Sequence, residues 1–110
     1  MDLGMTKIYK FQDDISTDAL NELEKHPSIA CDTEGSGLQI PHRDKLSLIQ
    51  FSTGNNDAYI IQPNRKHYKA PNIVKILENS KITKIGHYLR YDVSGLEYFL
   101  KCEVKNIFDT

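Results

Sequence analysis

Two acids spaced two residues apart, Asp32 and Glu34, close an apolar segment that begins at Ser28. In an extended strand, residues i and i+2 project from the same face, roughly 6–7 Å apart. Carboxylates held in that way repel one another unless a cation lies between them. Hard divalent ions such as Mg²⁺ and Mn²⁺ prefer carboxylate oxygens, so the pair is a candidate metal cradle. Gly35 and Gly37, just beyond it, would let a backbone or a ligand come close. An Asp-x-Glu also occurs at solvent-exposed strand ends, and the pair alone does not separate the two readings. A third acid, Asp92, follows a second apolar strand at the start of a helix. Ligands in such sheets gather beyond the carboxyl ends of strands, yet a helix-start Asp can equally be a partner for the helix dipole. Three carboxylates at one sheet edge are what two-metal phosphoryl transfer requires, with one ion activating water and the other steadying the leaving oxygen.

The elements that must position these acids alternate along the chain. Residues 7–12 read as a strand, and Ser16 or Thr17 can cap a helix to about His26 with Leu20 and Leu23 inward. Residues 28–34 form the acid-ending strand, with a loop expected over 38–44. Residues 45–52 alternate as a strand, with Leu46, Leu48 and Gln50 on one face and Ser47, Ile49 and Phe51 on the other. The turn formers Thr53 to Asp57 join it to 58–62, a hairpin signature. Pro71 fits the first turn of a helix to about Asn79, with Ile73, Val74 and Leu77 on one face. A strand over 82–87 and a helix over 89–100 follow, the latter carrying Leu89, Val93, Leu96 and Leu100 at helical spacing. Residues 104–109 open another strand. The order βαβββαβαβ predicts an α/β fold, a mixed sheet with helices against it. Tyr59, Tyr91, Tyr98, Phe99 and Phe108 are expected to be buried or half-buried packing.

With 110 residues the chain is sized for one small domain, 1–110. Its 14 basic and 15 acidic residues give a net charge of −1, which excludes a protein that grips nucleic acid by bulk charge. Any such role must rest on a local site or bound metal. No run approaches the roughly 18 apolar residues of a membrane helix, and the first residues lack a secretory pattern. A cytoplasmic location without membrane contact is the expectation. Cys31 and Cys102 lie too far apart for a zinc knuckle and read as reduced structural thiols.

Four segments carry a resemblance to a known family. "ACDTEGSGL" resembles the first motif of the DEDD 3′–5′ exonuclease superfamily, and "PHRDKLSLIQFS" the strand that follows it in RNase D-like enzymes. "KIGHYLRYDVSGL" resembles the second motif, and "IFDT" the short strand opening the second half of those domains. The chain is most similar to compact bacterial forms that carry only the exonuclease domain. The resemblance implies a ribonuclease H-like fold and hydrolysis of nucleotides from 3′ ends of RNA or single-stranded DNA. It implies two Mg²⁺ or Mn²⁺ ions held by Asp32, Glu34 and Asp92, three of four metal-binding acids. The family's fourth acid and its general base lie in a third motif beyond Thr110. The chain is therefore expected to be an amino-terminal portion of the domain, marginally stable, and open to self-association or to a complementing chain. Leu38, by the same resemblance, would wedge against a terminal base.

Further candidates flank these motifs. Arg43, with Lys45, could touch a substrate phosphate. His87 stands five residues before Asp92, a spacing that also fits the family's third motif. That assignment is rejected because the segment follows Asp-x-Glu too closely and "IFDT" comes after it. His87 is then a structural histidine or a polar group near the site. Tyr88, adjacent to it, stands where many relatives have Asn. The run 65–69 concentrates positive charge around Tyr68, either as a phosphate grip or as solvated surface. Two further readings remain: an inactive or split remnant that binds metal or nucleic acid, and an unrelated α/β interaction module whose acids are surface residues.

Overall fold

The computed structural model describes residues 6–35 and 46–110. Its elements run β1 (Lys7–Gln12), α1 (Thr17–Glu24), β2 (Ser28–Gly35), β3 (Leu46–Ser52), β4 (Asp57–Gln62), α2 (Pro71–Glu78), β5 (Thr83–Gly86), α3 (Leu89–Leu100) and β6 (Ile107–Asp109). The six strands form one sheet in the order β1-β4-β3-β2-β5-β6. The hairpin β3–β4 and the pair β2–β3 are antiparallel, whereas β1–β4, β2–β5 and β5–β6 are parallel. The sheet is thus mixed, as the element order predicted.

Strand alternation gives the sheet two different faces. On one, Ile29 and Cys31 of β2, Ile49 and Phe51 of β3, and Tyr59 and Ile61 of β4 are buried. Leu20 and Leu23 of α1, Ile73, Ile76 and Leu77 of α2, and Leu89, Leu96 and Leu100 of α3 join them in one apolar cluster. At about 25 cal/mol per Å² of apolar surface removed from water, this contact is the main stabilising force. The opposite face carries Ala30, Asp32 and Glu34 of β2, Gln50 of β3 and Ile60 of β4, none of them buried. Phe108 of β6 lies on that face beside Ile85, and is 59% exposed.

Three sequence expectations are corrected here. Leu46 does not share a face with Leu48 and Gln50; it is buried together with Ile49 and Phe51. The cause is a bulge: Glu34 pairs with Leu48 but Gly35 with Leu46, so Ser47 is an extra residue. One inserted residue shifts the phase of a two-residue repeat, and the side chain before it changes face. Of the aromatics expected to pack, Tyr59 is buried, whereas Tyr91, Tyr98 and Phe108 are exposed. On α2, Ile76 takes the buried place given to Val74, which is only partly covered.

Caps settle the helix starts. The Ser16 hydroxyl accepts from the Ala19 amide at 3.1 Å, so Ser16 and not Thr17 caps α1. At α2 the capping position is Ala70, which offers no side-chain acceptor. Asp14 supplies it from elsewhere in the chain, its carboxylate accepting from the Asn72 and Ile73 amides at 2.9 and 3.0 Å. Local sequence around Pro71 gives no sign of that partner.

Lys84 of β5 is fully buried. Its ammonium donates to the carbonyls of Asn79 (2.7 Å), Ile82 (2.8 Å) and Lys105 (2.8 Å), so each of its three protons is satisfied. The clamp ties the turn before β5 to the segment leading into β6. Burial pushes the Lys84 ammonium down to about 8. A lysine depressed in the folded state binds its proton more tightly when unfolded, near its usual value of about 10.4. Its stabilising contribution is therefore lost as pH falls through about 8 and grows as pH rises above it. Between pH 7.5 and 9, urea denaturation should show wild type gaining stability over a Lys84→Met variant, at no more than about 1.4 kcal/mol per pH unit. A constant difference across that range would place the lysine outside the buried environment described.

Candidate active site

Strand β2 lies between β3 and β5, and its carboxyl end carries the acids. Asp32 pairs across the antiparallel ladder with Gln50, and Glu34 with Leu48, so both project from the face opposite the one that packs on the described helices. Both are exposed. One Asp32 carboxylate oxygen accepts from the Thr33 amide at 2.9 Å. An open cavity of about 410 Å³ lies beside it, lined by Ala30, Asp32, Gln50, Ser52, Ile85 and His87 among others.

The third acid arrives from the other side. Asp92 sits in the first turn of α3 and is 8% exposed. The Thr33 hydroxyl donates to its carboxylate, linking the two acidic motifs across 59 residues. Burial pushes the Asp92 carboxyl above the usual carboxylate range. The Thr33 hydroxyl counters this, while the negative charges of Asp32 and Asp109 push it further up. Asp32 and Asp109 thus lie within electrostatic reach of Asp92. Among the described residues, no three His, Cys, Asp or Glu side chains are grouped tightly enough to hold an ion as they stand. Asp32 and Asp92 are brought together; Glu34 shares the face of Asp32 but does not complete a cage.

His87 lines the cavity next to Asp32 and is exposed. Tyr88 is 75% exposed, and its ring stands 4.2 Å from that of His87. Its backbone takes the left-handed conformation (φ 53°, ψ 39°) that turns β5 into α3. Asn tolerates this conformation better than a bulky aromatic does. Leu38 and Arg43 lie outside the described residues. Tyr68, from the basic run, donates its hydroxyl to the Leu46 carbonyl at 3.0 Å, so it braces the start of β3.

Three residues of this neighbourhood carried no motif signal of their own. Thr33 is the middle residue of Asp-x-Glu, and Asp109 was legible only as part of "IFDT". Gly86 ends β5, where a Cβ would stand 2.8 Å from the Cys31 carbonyl and 2.9 Å from Leu89 Cδ1. Only a residue without a side chain lets β5 and the start of α3 press so closely on β2.

A model of the 3′–5′ exonuclease family matches residues 8–110, nearly the whole chain. The fold is that of ribonuclease H-like exonucleases, and the chain belongs to the DEDD 3′–5′ exonuclease family. One similar solved structure, described as the apo form of a nuclease, is 32% identical with a TM-score of 0.88, over 96% of this chain and 49% of that one. Brucella melitensis NrnC is 35% identical with a TM-score of 0.86, over 94% of this chain and 49% of that protein. NrnC has also been solved with bound Mg²⁺ and bound to pGG. Escherichia coli RNase D, at 23% identity and a TM-score of 0.70, shares the fold over 92% of this chain. The chain spans about half the length of the first two structures. No match was found among curated proteins. Among the described residues, no helix is long and apolar enough to cross a membrane.

Two outcomes are expected from substitutions here. Gly86→Ala should cost about 1–3 kcal/mol of stability by overpacking β5 against β2, read by denaturant unfolding. Wild-type stability in that variant would show that the strands can move apart freely. Asp92→Asn should leave the thermal midpoint unchanged or raise it by a few degrees. The amide oxygen can still accept from Thr33, and a penalised buried charge is removed. A midpoint lowered by several degrees would show that Asp92 serves the fold rather than a site.

Proposed function

We propose that this chain carries the metal-binding acids of a 3′–5′ exonuclease acting on RNA or single-stranded DNA, in which Asp32, Glu34 and Asp92 hold Mg²⁺ or Mn²⁺. The observation that carries the reading is the placement of Asp92. A carboxylate is held nine-tenths buried beside a second carboxylate, at a cost that a bound cation would offset. The donor set fits the ions, since all three groups are hard carboxylate oxygens. When bound, two such ions supply an activated water and charge stabilisation at the leaving oxygen. The chain's own residues do the rest. Asp32 and Glu34 present oxygens on the open face, and Asp92 closes the site from α3. His87 stands at the mouth of the cavity, where it can donate to a phosphate oxygen. Leu38 and Arg43 are assigned to the terminal base and a phosphate, and Tyr88 to stacking on a base from its exposed position. NrnC, solved with Mg²⁺ and with pGG, supports both the choice of ion and a nucleotide ligand. We assign the protein to the cytoplasm, where its two thiols would stay reduced.

A second reading is favoured by the open sheet face and by the half-length match to NrnC. In it the chain works with a complementing polypeptide or a second copy that supplies a further acid and a general base. Both readings are tested on a 5′-labelled single-stranded RNA with Mn²⁺, with EDTA and Asp32→Asn as controls. A ladder shortening from the 3′ end, lost in both controls, is expected if these acids suffice. Digestion that appears only when the sequence corresponding to the other half of the relatives is added would establish the second reading. A ladder that persists in Asp32→Asn would overturn the site.

A further inference from the structure

We infer that Thr33, the middle residue of the Asp-x-Glu motif, is a positioning residue that aims Asp92 at the metal site. The inference rests on the proposed metal-binding reading and adds to it the group that joins its two acidic motifs.

The geometry follows from strand alternation. Asp32 and Glu34 project from the open face of β2, so Thr33 must project from the helix-packed face. Its register partner is Ile49, which is fully buried. A polar side chain there needs a partner, and the carboxylate of Asp92 on α3 is the one it finds. The carboxylate can only accept, so the hydroxyl is the donor and the bond is charge-assisted. It engages Oδ1 of Asp92 and ties that carboxylate to β2. The Thr33 backbone amide also acts on this carboxylate, and the charges of Asp32 and Asp109 lie within its electrostatic reach. Elsewhere on α3, the Glu97 carboxylate accepts from the Val104 amide at 2.9 Å and holds the far end of the helix. Tyr88, at its capping position, makes no side-chain cap bond, and the helix reaches β2 through apolar contacts.

A threonine serves here for two reasons. Its branched Cβ suits a strand, and its rotamer is restricted, so the donor is held in direction. Valine keeps the shape and the strand preference while deleting the donor. Serine keeps the donor and loses the methyl group. Groups that orient metal ligands typically change metal affinity by about 10- to 100-fold when removed.

The test is Mn²⁺ binding by the full chain without substrate, followed by loss of the free-ion electron paramagnetic resonance signal. Thermal unfolding is run alongside on the same samples. Thr33→Val is expected to weaken Mn²⁺ binding about 10- to 100-fold with a thermal midpoint close to wild type. Thr33→Ser should restore most of the affinity. In an Asp92→Asn background, Thr33→Val should make no further difference, because the hydroxyl acts through that carboxylate. Thr33→Ala gives a second donor-free variant should valine pack badly. Unchanged Mn²⁺ affinity in both donor-free variants would overturn the positioning role while leaving the metal site standing. An equal loss in the Asp92→Asn background would also overturn it, since the effect would not pass through Asp92. A wild-type chain that takes up no Mn²⁺ would sink the metal-binding reading and this inference with it.

Discussion

The alternation of side chains along β2 is the constraint on which the rest of the molecule depends. Eight residues, Ser28 to Gly35, serve the core and the site at once because successive side chains face opposite ways. Ile29 and Cys31 anchor the strand in the apolar layer. Asp32 and Glu34, one step out of phase, are kept clear of that layer. Thr33 stands on the core side, yet reaches a carboxylate on α3. A slip of one residue would bury both acids and expose the anchors. The antiparallel pairing with β3 and the parallel pairing with β5 lock the strand on both edges. The Ser47 bulge confines its irregularity to the very end of the ladder, beyond Glu34.

The second motif is placed by packing rather than by pattern. β5 can press on β2 only because Gly86 has no side chain, and the chain then turns at once into α3 through Tyr88. That turn uses a left-handed aromatic residue, a local cost accepted where geometry is over-determined by its surroundings. Lys84 holds the same strand from below with three carbonyls, which also fixes the approach of β6 and therefore of Asp109. A buried charge, a close glycine and a strained turn thus concentrate within five residues, just ahead of the buried acid they position. Stability is spent there on geometry, as is usual near sites.

The two faces of the sheet differ in kind. One is a continuous apolar contact with three helices, and it accounts for the fold. The other mixes Ile60, Ile85 and Phe108 with the acids and Gln50, and no described helix covers it. The relatives are about twice as long as this chain, and they match it over nearly its whole length. The same face carries Asp32, Glu34 and the cavity beside Asp32.

Much of this was legible in the residues themselves, because period and punctuation are local properties. The nine elements, the hairpin at Thr53–Asp57 and the acid-ending strand follow from side-chain periods of 2 and 3.6 and from turn formers. The family motifs marked Asp32, Glu34 and Asp92 by type and spacing. What sequence could not carry was any relation between distant segments. The capping of α2 by Asp14 joins residues 58 positions apart. The Ser47 bulge reverses the expected face of Leu46 because pairing counts residues on two strands, not one. Thr33 carried no reading of its own, and Asp92 read as a helix-start acid that was either a metal ligand or a partner for the helix dipole. Only the packing of α3 against β2 made the first a hydrogen-bond donor and the second a buried carboxylate. Strand and helix are set by neighbours in the chain, whereas burial and protonation are set by neighbours in space.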